Sequence, residues 1–217
     1  MALRINDTAP NFTAETSEGK IDFHDWIGDS YAILFSHPKD FTPVCTTEFG
    51  AVARLADDFA RRNTKVIGIS VDDVSEHAGW KKDIESFASA DVTFPIIADE
   101  DLKVAKLYDM LPAEAYLPDG RTPADSETVR TTFIIGPDKK IKVMLIYPMT
   151  VGRNFDEILR ALDAVQAGDR NPIATPANWK PGDDVIVKTS VSTDDAKARF
   201  GEVREIFPYL RMIKEPK

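Results

Sequence analysis

The chain has 217 residues, 43% hydrophobic and 29% charged, the balance of an ordinary globular protein with room for one large domain or a domain with an appendage. Its net charge of −9 and isoelectric point near 4.9 exclude a broad nucleic-acid-binding surface and disfavour docking on anionic lipid. The one cysteine excludes an intrachain disulfide, makes a thiolate zinc cluster implausible and suits a reducing compartment, so a cytoplasmic setting is expected. No basic segment followed by an apolar core opens the chain and no apolar run approaches a membrane span, so neither a signal peptide nor a membrane partner is predicted.

In chain order, residues 1–30 are turn-rich, with a short hairpin or strand around EGKIDFHDWIGDS that sets Ile21 and Phe23 on one face. Tyr31 to Phe35 reads as a strand buried on both faces. Thr42 then suits an N-cap and Pro43 the first helical position. The helix is predicted to run to about Arg62, with Phe49, Val52, Ala53, Ala56, Phe59 and Ala60 inward. Lys65 to Val71 reads as a second strand. Ser75 caps a helix to about Ala90, with Ala78, Ile84, Phe87 and Ala88 inward and His77 in solvent. Val92 to Ala98 is a third strand that Pro95 places partly at an edge or bend, and Asp99 opens a helix with Leu102, Ala105 and Tyr108 inward.

Residues 109–128 form a polar, Pro-rich connection of the kind that is functional or mobile. Val129 to Ile135 and Ile141 to Tyr147 are strands joined by the turn GPDKK, hence an antiparallel hairpin. Asn154 with Glu157 opens a helix to about Ala167. From Gly168 a linker-like run is followed by a strand at 185–188, a short helix near 194–200 and an apolar tail from Val203 to Ile213, too apolar for disorder, which either folds back on its own core or finds a partner. Strands alternating with helices mark a layered α/β fold. The expected division is a domain of residues 1–167 and an appendage of residues 168–217.

Cys45 falls in the first turn of its helix, among amides without intrahelical partners, where partial positive charge favours thiolate over thiol. The other reading is a small buried apolar cysteine. Thr42, three residues earlier, can turn its hydroxyl into the same pocket or cap the helix. Arg130 lies inside an apolar strand, so it either has an anionic partner or sits at an exposed edge. Three histidines and one cysteine show no metal-ligand spacing, so neither metal nor haem is expected, nor any other cofactor.

The string FSHPKDFTPVCTTE, with Pro38, Thr42 and Cys45 spaced P-x-x-x-T-x-x-C, resembles the active-site signature of the peroxiredoxins, specifically the one-cysteine (peroxiredoxin-6-like) subfamily. The resemblance continues through SETVRTTFIIGPDKKIK and YPMTVGRNFDEILRALDA to ATPANWKPGDDVIV, nearly the whole chain. It implies a thioredoxin-like central mixed sheet flanked by helices, with a small C-terminal α+β arm that embraces a second protomer in a homodimer, possibly a larger ring. It implies a peroxidase in which Cys45 is the nucleophile, Thr42 bonds sulfur and peroxide, Arg130 holds both, and Pro38 shields the sulfur. His37 corresponds to the histidine near sulfur in the one-cysteine branch, and Glu48 and Arg153 to supporting ion pairs.

With no second cysteine, the sulfenic acid must be reduced from outside, by glutathione or a thiol redox protein. Hydrogen peroxide and organic hydroperoxides both fit sterically. A Cys–His pair can also indicate a thiol hydrolase, but no supporting Asn or Asp stands out. Some one-cysteine members are described as phospholipases, and Ser30, His24 and Asp138 match that Ser–His–Asp set. Against it, Ala32 replaces the second glycine of a G-x-S-x-G elbow, Ser30 precedes a strand, and Asp138 suits a hairpin turn on its own account. A chaperone-like oligomer without enzymatic role needs the apolar tail exposed.

Overall fold

The computed structural model describes residues 2–116 and 126–216. Near the start, Thr13–Ala14 (β1) and Ile21–Asp22 (β2) pair antiparallel, as the turn-rich reading expects. The strand stops there. Asp22 accepts from the Asp25 amide and caps a helix, Phe23–Ile27 (α1), so Phe23 is buried as a helical residue rather than as a strand neighbour of Ile21. A capping carboxylate satisfies an orphan helix donor, and that local bond overrides a two-residue alternation.

Tyr31–Ser36 (β3) is followed by Pro43–Arg54 (α2) and Ala56–Arg61 (α3). The expected single helix is broken at Leu55 (φ −97°, ψ 7°), whose N–H bonds back to Val52 O at 3.0 Å. Asp57 and Asp58 thereby lie in a first helical turn, where the dipole favours carboxylates, instead of mid-helix. Phe49, Val52, Ala53 and Phe59 are buried, whereas Ala60 is exposed.

Thr64–Ser70 (β4) leads to Val74–Ala88 (α4). The cap of α4 is Asp73, in a full capping box with Glu76, not Ser75. Its inward stripe is His77, Trp80, Ile84 and Ala88; Ala78 and Phe87 face out. Ile96–Ala98 (β5) starts just past Pro95, and Lys103–Leu107 (α5) is shorter than expected. Asp99 stands outside α5 and accepts from the amides of Val104 and Ala105 at 2.9 and 2.7 Å. Of the long connection, 113–116 form a 3-10 turn, and residues 117–125 lie outside the described residues.

Arg130–Ile135 (β6) and Ile141–Tyr147 (β7) form the expected antiparallel hairpin. The five strands make one sheet in the order β5-β4-β3-β6-β7, parallel across β5-β4-β3 and antiparallel across β3-β6-β7. This is the mixed, thioredoxin-like sheet. Gly68 of β4 lets α2 come close: a Cβ there would lie 2.8 Å from Phe49 Cζ. The described chain divides into two compact units, Met1–Phe155 and Asp156–Lys217.

The second unit takes up nearly all of the helix Phe155–Arg170 (α6), then Ile173–Ala174 (β8), Val185–Val187 (β9), Thr193–Phe200 (α7), Arg204–Phe207 (β10) and Leu210–Ile213 (β11). Its antiparallel sheet runs β10-β11-β9-β8. The run from Gly168 that reads as a linker is therefore structured. It supplies β8 and Trp179, which is buried in the unit's own core with Ala167, Ile173, Val185, Val187, Ala196 and Ile213. The tail splits in two. Ile213 is buried, while Ile206, Phe207 and Tyr209 at the β10–β11 hairpin stay 42%, 51% and 68% exposed.

Candidate active site

Cys45 is the third residue of α2 and is fully buried. The chain enters the helix through Phe41, held in the left-handed region at φ 53°, where a side chain other than glycine is strained. Thr42 occupies the N-cap with extended dihedrals, but its side chain makes no cap bond. Its hydroxyl donates to Lys39 O at 2.8 Å, so that proton is not offered to the sulfur; the oxygen keeps its lone pairs. Pro38 is buried beside His37.

Arg130, at the first position of β6, is buried and points at the helix start. Its Nη1 donates to Cys45 Sγ at 3.3 Å and to Glu48 Oε2 at 2.7 Å, and its Nε to Met149 O at 2.8 Å. Two hydroxyls pin the start of β6. Ser36 Oγ bridges Val129 O and the Thr131 amide, and Thr128 Oγ1 donates to His37 O at 2.6 Å. Glu48, one turn beyond Cys45, is sandwiched between two guanidiniums. Arg153 grips it through Nε at 2.9 Å, Nη2 at 2.7 Å and its backbone amide at 2.8 Å. Arg153 also donates to Thr131 O and Thr132 Oγ1, and its guanidinium packs over the rings of Phe35 and Phe155. Burial pushes the Glu48 carboxyl up, but the Arg153 fork and Arg130 outweigh it and hold the group below the usual glutamate range.

The charges decide what this geometry favours. Two buried guanidiniums face one carboxylate, which leaves one positive charge unbalanced. The thiolate form of Cys45 cancels it, at a distance where two charges interact by a few kcal/mol even at an effective dielectric of about 20. The site thus sets the sulfur against a buried guanidinium that can also hold a second electronegative atom.

His37 and His77 form a second buried polar group, joined through Asp40 on the loop before α2. Both are fully buried, which corrects the expectation of a solvated His77. His37 packs edge-on to Phe49 with centroids 4.6 Å apart and stacks on Trp80 at 5.0 Å. Asp40 bridges the two imidazoles, Oδ1 to His37 Nε2 and Oδ2 to His77 Nδ1, each at 2.6 Å. Its own amide donates to Asp72 Oδ2 at 2.8 Å. Burial pushes the His37 pKa down against the pull of Asp40. Burial also raises the Asp40 carboxyl, but the two histidines prevail and bring it to about 2. His37, Asp40 and Asp72 offer ligand atoms within 4.8 Å of one another. A 2.6 Å nitrogen–oxygen contact holds a shared proton rather than two ligands of one ion, so the cluster is a hydrogen-bond network. Asp40 and His77 escape the sequence reading. Only the Asp within HPKDFT hints at them.

The Ser30, His24 and Asp138 set is not assembled. Ser30 Oγ donates to Ile27 O at 2.5 Å, His24 Nε2 meets Ala9 O at 2.8 Å, and Asp138 pairs with Lys142 at 3.0 Å. Each side chain is engaged by its own local structure. Ser30→Ala is accordingly expected to leave peroxide turnover within about twofold of the native rate, as for a change outside the reacting groups. A loss beyond tenfold in a steady-state assay would tie Ser30 to the site.

A thiol placed at a helix N-terminus beside the end of a strand in a thioredoxin-like sheet, held by a buried arginine, defines a thiol-dependent peroxidase. Comparison with known proteins is consistent throughout the chain. The AhpC/TSA family model matches residues 5–144, and that of the C-terminal domain of 1-Cys peroxiredoxin matches residues 164–202. The chain belongs to the one-cysteine peroxiredoxins. It is 53% identical over 215 residues to the mitochondrial peroxiredoxin PRX1 of Saccharomyces cerevisiae, covering 98% of this chain and 81% of that one. A solved structure of a yeast mitochondrial 1-Cys peroxiredoxin, described for its thiol resolution through glutathione and thioredoxin systems, superposes with a TM-score of 0.87 at 51% identity over 98% of this chain and 99% of that chain. A structure of peroxiredoxin 6 from Arenicola marina, in a cysteine-to-serine form, superposes at 0.92 with 43% identity over the whole of both chains.

Proposed function

We propose that Cys45 attacks the distal oxygen of hydrogen peroxide or an organic hydroperoxide. The observation that carries this is the 3.3 Å contact between Arg130 Nη1 and Cys45 Sγ inside a buried, charge-balanced cluster. The sulfur–oxygen bond forms as the oxygen–oxygen bond breaks. The leaving oxygen departs with a proton as water or alcohol, and Cys45 becomes a sulfenic acid. Arg130 stabilises negative charge on sulfur first and on the peroxide oxygens as they separate. Thr42, its proton committed to Lys39 O, accepts the peroxide O–H. Pro38 and His37 close the pocket from the strand side. Glu48 and Arg153 orient Arg130.

A chain with one cysteine cannot resolve the sulfenic acid itself. An external thiol condenses with it to a mixed disulfide and water, and a second thiol releases Cys45. Glutathione or a thioredoxin-type protein fits this need, in a reducing compartment. Peroxide consumption measured with each as sole reductant tests the reading: turnover with at least one is expected, and none with either contradicts it.

The assembly we propose is a homodimer. The support is apolar surface of two kinds: the edge strand β7 with Ile146 61% exposed, and the β10–β11 hairpin, where the rings of Phe207 and Tyr209 stack 5.4 Å apart in solvent. Sedimentation of the full chain is expected to give twice the chain mass, and a shift to the single-chain mass on changing Phe207 and Tyr209 together to Glu. A monomeric native protein overturns the dimer, and a double variant that stays dimeric removes the hairpin from its interface.

A further inference from the structure

The buried Asp40 lies between two histidines, and the partners of each ring nitrogen constrain where the protons lie. His77 Nε2 is 3.1 Å from Ile97 O, a carbonyl that can only accept, so Nε2 carries a proton. His77 Nδ1 is 2.6 Å from Asp40 Oδ2. A bare nitrogen against a bare carboxylate oxygen at that distance is lone pair against lone pair, so a proton lies there too. One proton thus joins His77 Nδ1 and Asp40 Oδ2, and His77 and Asp40 together carry no net charge. Asp40 Oδ1 then accepts from His37 at 2.6 Å, which places the His37 proton on Nε2. A carboxylate already balanced by His77 gives His37 no reason to take a second proton, and burial weighs against one. Among the described residues His37 Nδ1 has no hydrogen-bond partner. It is a buried, unused acceptor, on a ring packed against Phe49, which lies one turn from Cys45 on the same side of α2.

We propose that Asp40 and His77 are positioning residues of the peroxide reaction: by pairing with each other they lock His37 as the neutral Nε2–H tautomer, with its Nδ1 kept as an acceptor. The inference rests on the peroxidase reading. An imidazolium at His37 would bury a further cation at the end of the strand that leads into the Cys45 turn, in addition to the two guanidiniums already paired with one carboxylate, and would turn an acceptor into a donor. Asp40 is held in turn by the Asp72 carboxylate, which accepts from the Asp40 amide and from Ser70 Oγ at 2.7 Å. The nearby ionisable groups are therefore Asp72 on the loop after β4, His77 on α4 and Asp40 on the loop before α2.

Nitrogen-detected NMR of the histidine rings in the reduced full-length protein at neutral pH tests this without reference to turnover. The native protein is expected to show His77 protonated on both nitrogens and His37 on Nε2 alone. In His77→Phe the carboxylate loses its partner cation, so His37 is expected to gain a proton at Nδ1, and the reaction of Cys45 with hydrogen peroxide to slow by about tenfold or more. In Asp40→Asn the buried negative charge is gone, and His77 is expected to become singly protonated. A native spectrum with His37 protonated at Nδ1, or with a singly protonated His77, overturns the proposal even if a variant does not fold. So does a slow His77→Phe protein whose His37 ring is unchanged, since that is a packing defect. Native protein that shows the expected ring states but does not consume peroxide would instead overturn the peroxidase reading.

Discussion

Cys45→Ser is expected to abolish peroxide consumption and leave the fold standing. The serine hydroxyl nearly matches the thiol in shape and still offers Arg130 Nη1 an acceptor, so the buried cluster keeps its contacts. What is lost is an ionisable nucleophile: a hydroxyl does not deprotonate to balance a guanidinium, and this chain has no other sulfur nucleophile of the cysteine kind. Peroxide loss in the presence of glutathione, read beside thermal melting, separates activity from folding. Consumption that persists in a folded Cys45→Ser protein would remove the nucleophile from the account.

Arg130→Ala is expected to slow the reaction of Cys45 with peroxide by roughly 10²-fold or more, the usual loss when one preorganised donor to developing charge is removed. The variant also takes away the unbalanced positive charge. Glu48 and Arg153 remain as a neutral pair, and thiolate formation, followed by its ultraviolet absorbance, should move to higher pH than in the native protein. The fold is expected to survive, because Glu48 keeps its three contacts with Arg153 and no buried carboxylate is orphaned. An unchanged thiolate titration would show that the guanidinium does not govern the sulfur.

Much of this site is legible in the sequence because its determinants are local or extreme. Thr42-Pro43 before an apolar stripe dictates a helix start, and Cys45 is carried into the first turn by spacing alone. An arginine read as lying inside an apolar strand demands an anion; it opens β6 rather than sitting within it, and Glu48 and Cys45 are what it meets. The β6–β7 hairpin follows from its short connection, whereas the antiparallel pairing of β3 with the distant β6 does not. What stays hidden is set by partners far along the chain. His77 is flanked by Glu76, Lys81 and Lys82, the pattern of a wet helix face, yet it is buried by Asp40 from a loop 37 residues earlier. Trp179 sits in a Pro- and Asp-rich run whose local chemistry does specify turns, but which also crosses a small core assembled from β8, β9, α7 and β11. Thr42 shows the limit of residue-type reasoning. Its position at the cap is correct, but its hydroxyl goes to Lys39 O, a choice made by the loop's geometry.

The most direct test of Cys45 as the peroxide-reactive sulfur is the intact mass of the chain after one equivalent of hydrogen peroxide, with and without glutathione. Without it, the mass of one added oxygen is expected, carried on Cys45; with it, one added glutathione in disulfide linkage and then return to the native mass. A chain whose mass does not change, or whose added oxygen lies on methionine while Cys45 stays reduced, would contradict a buried sulfur made nucleophilic by Arg130.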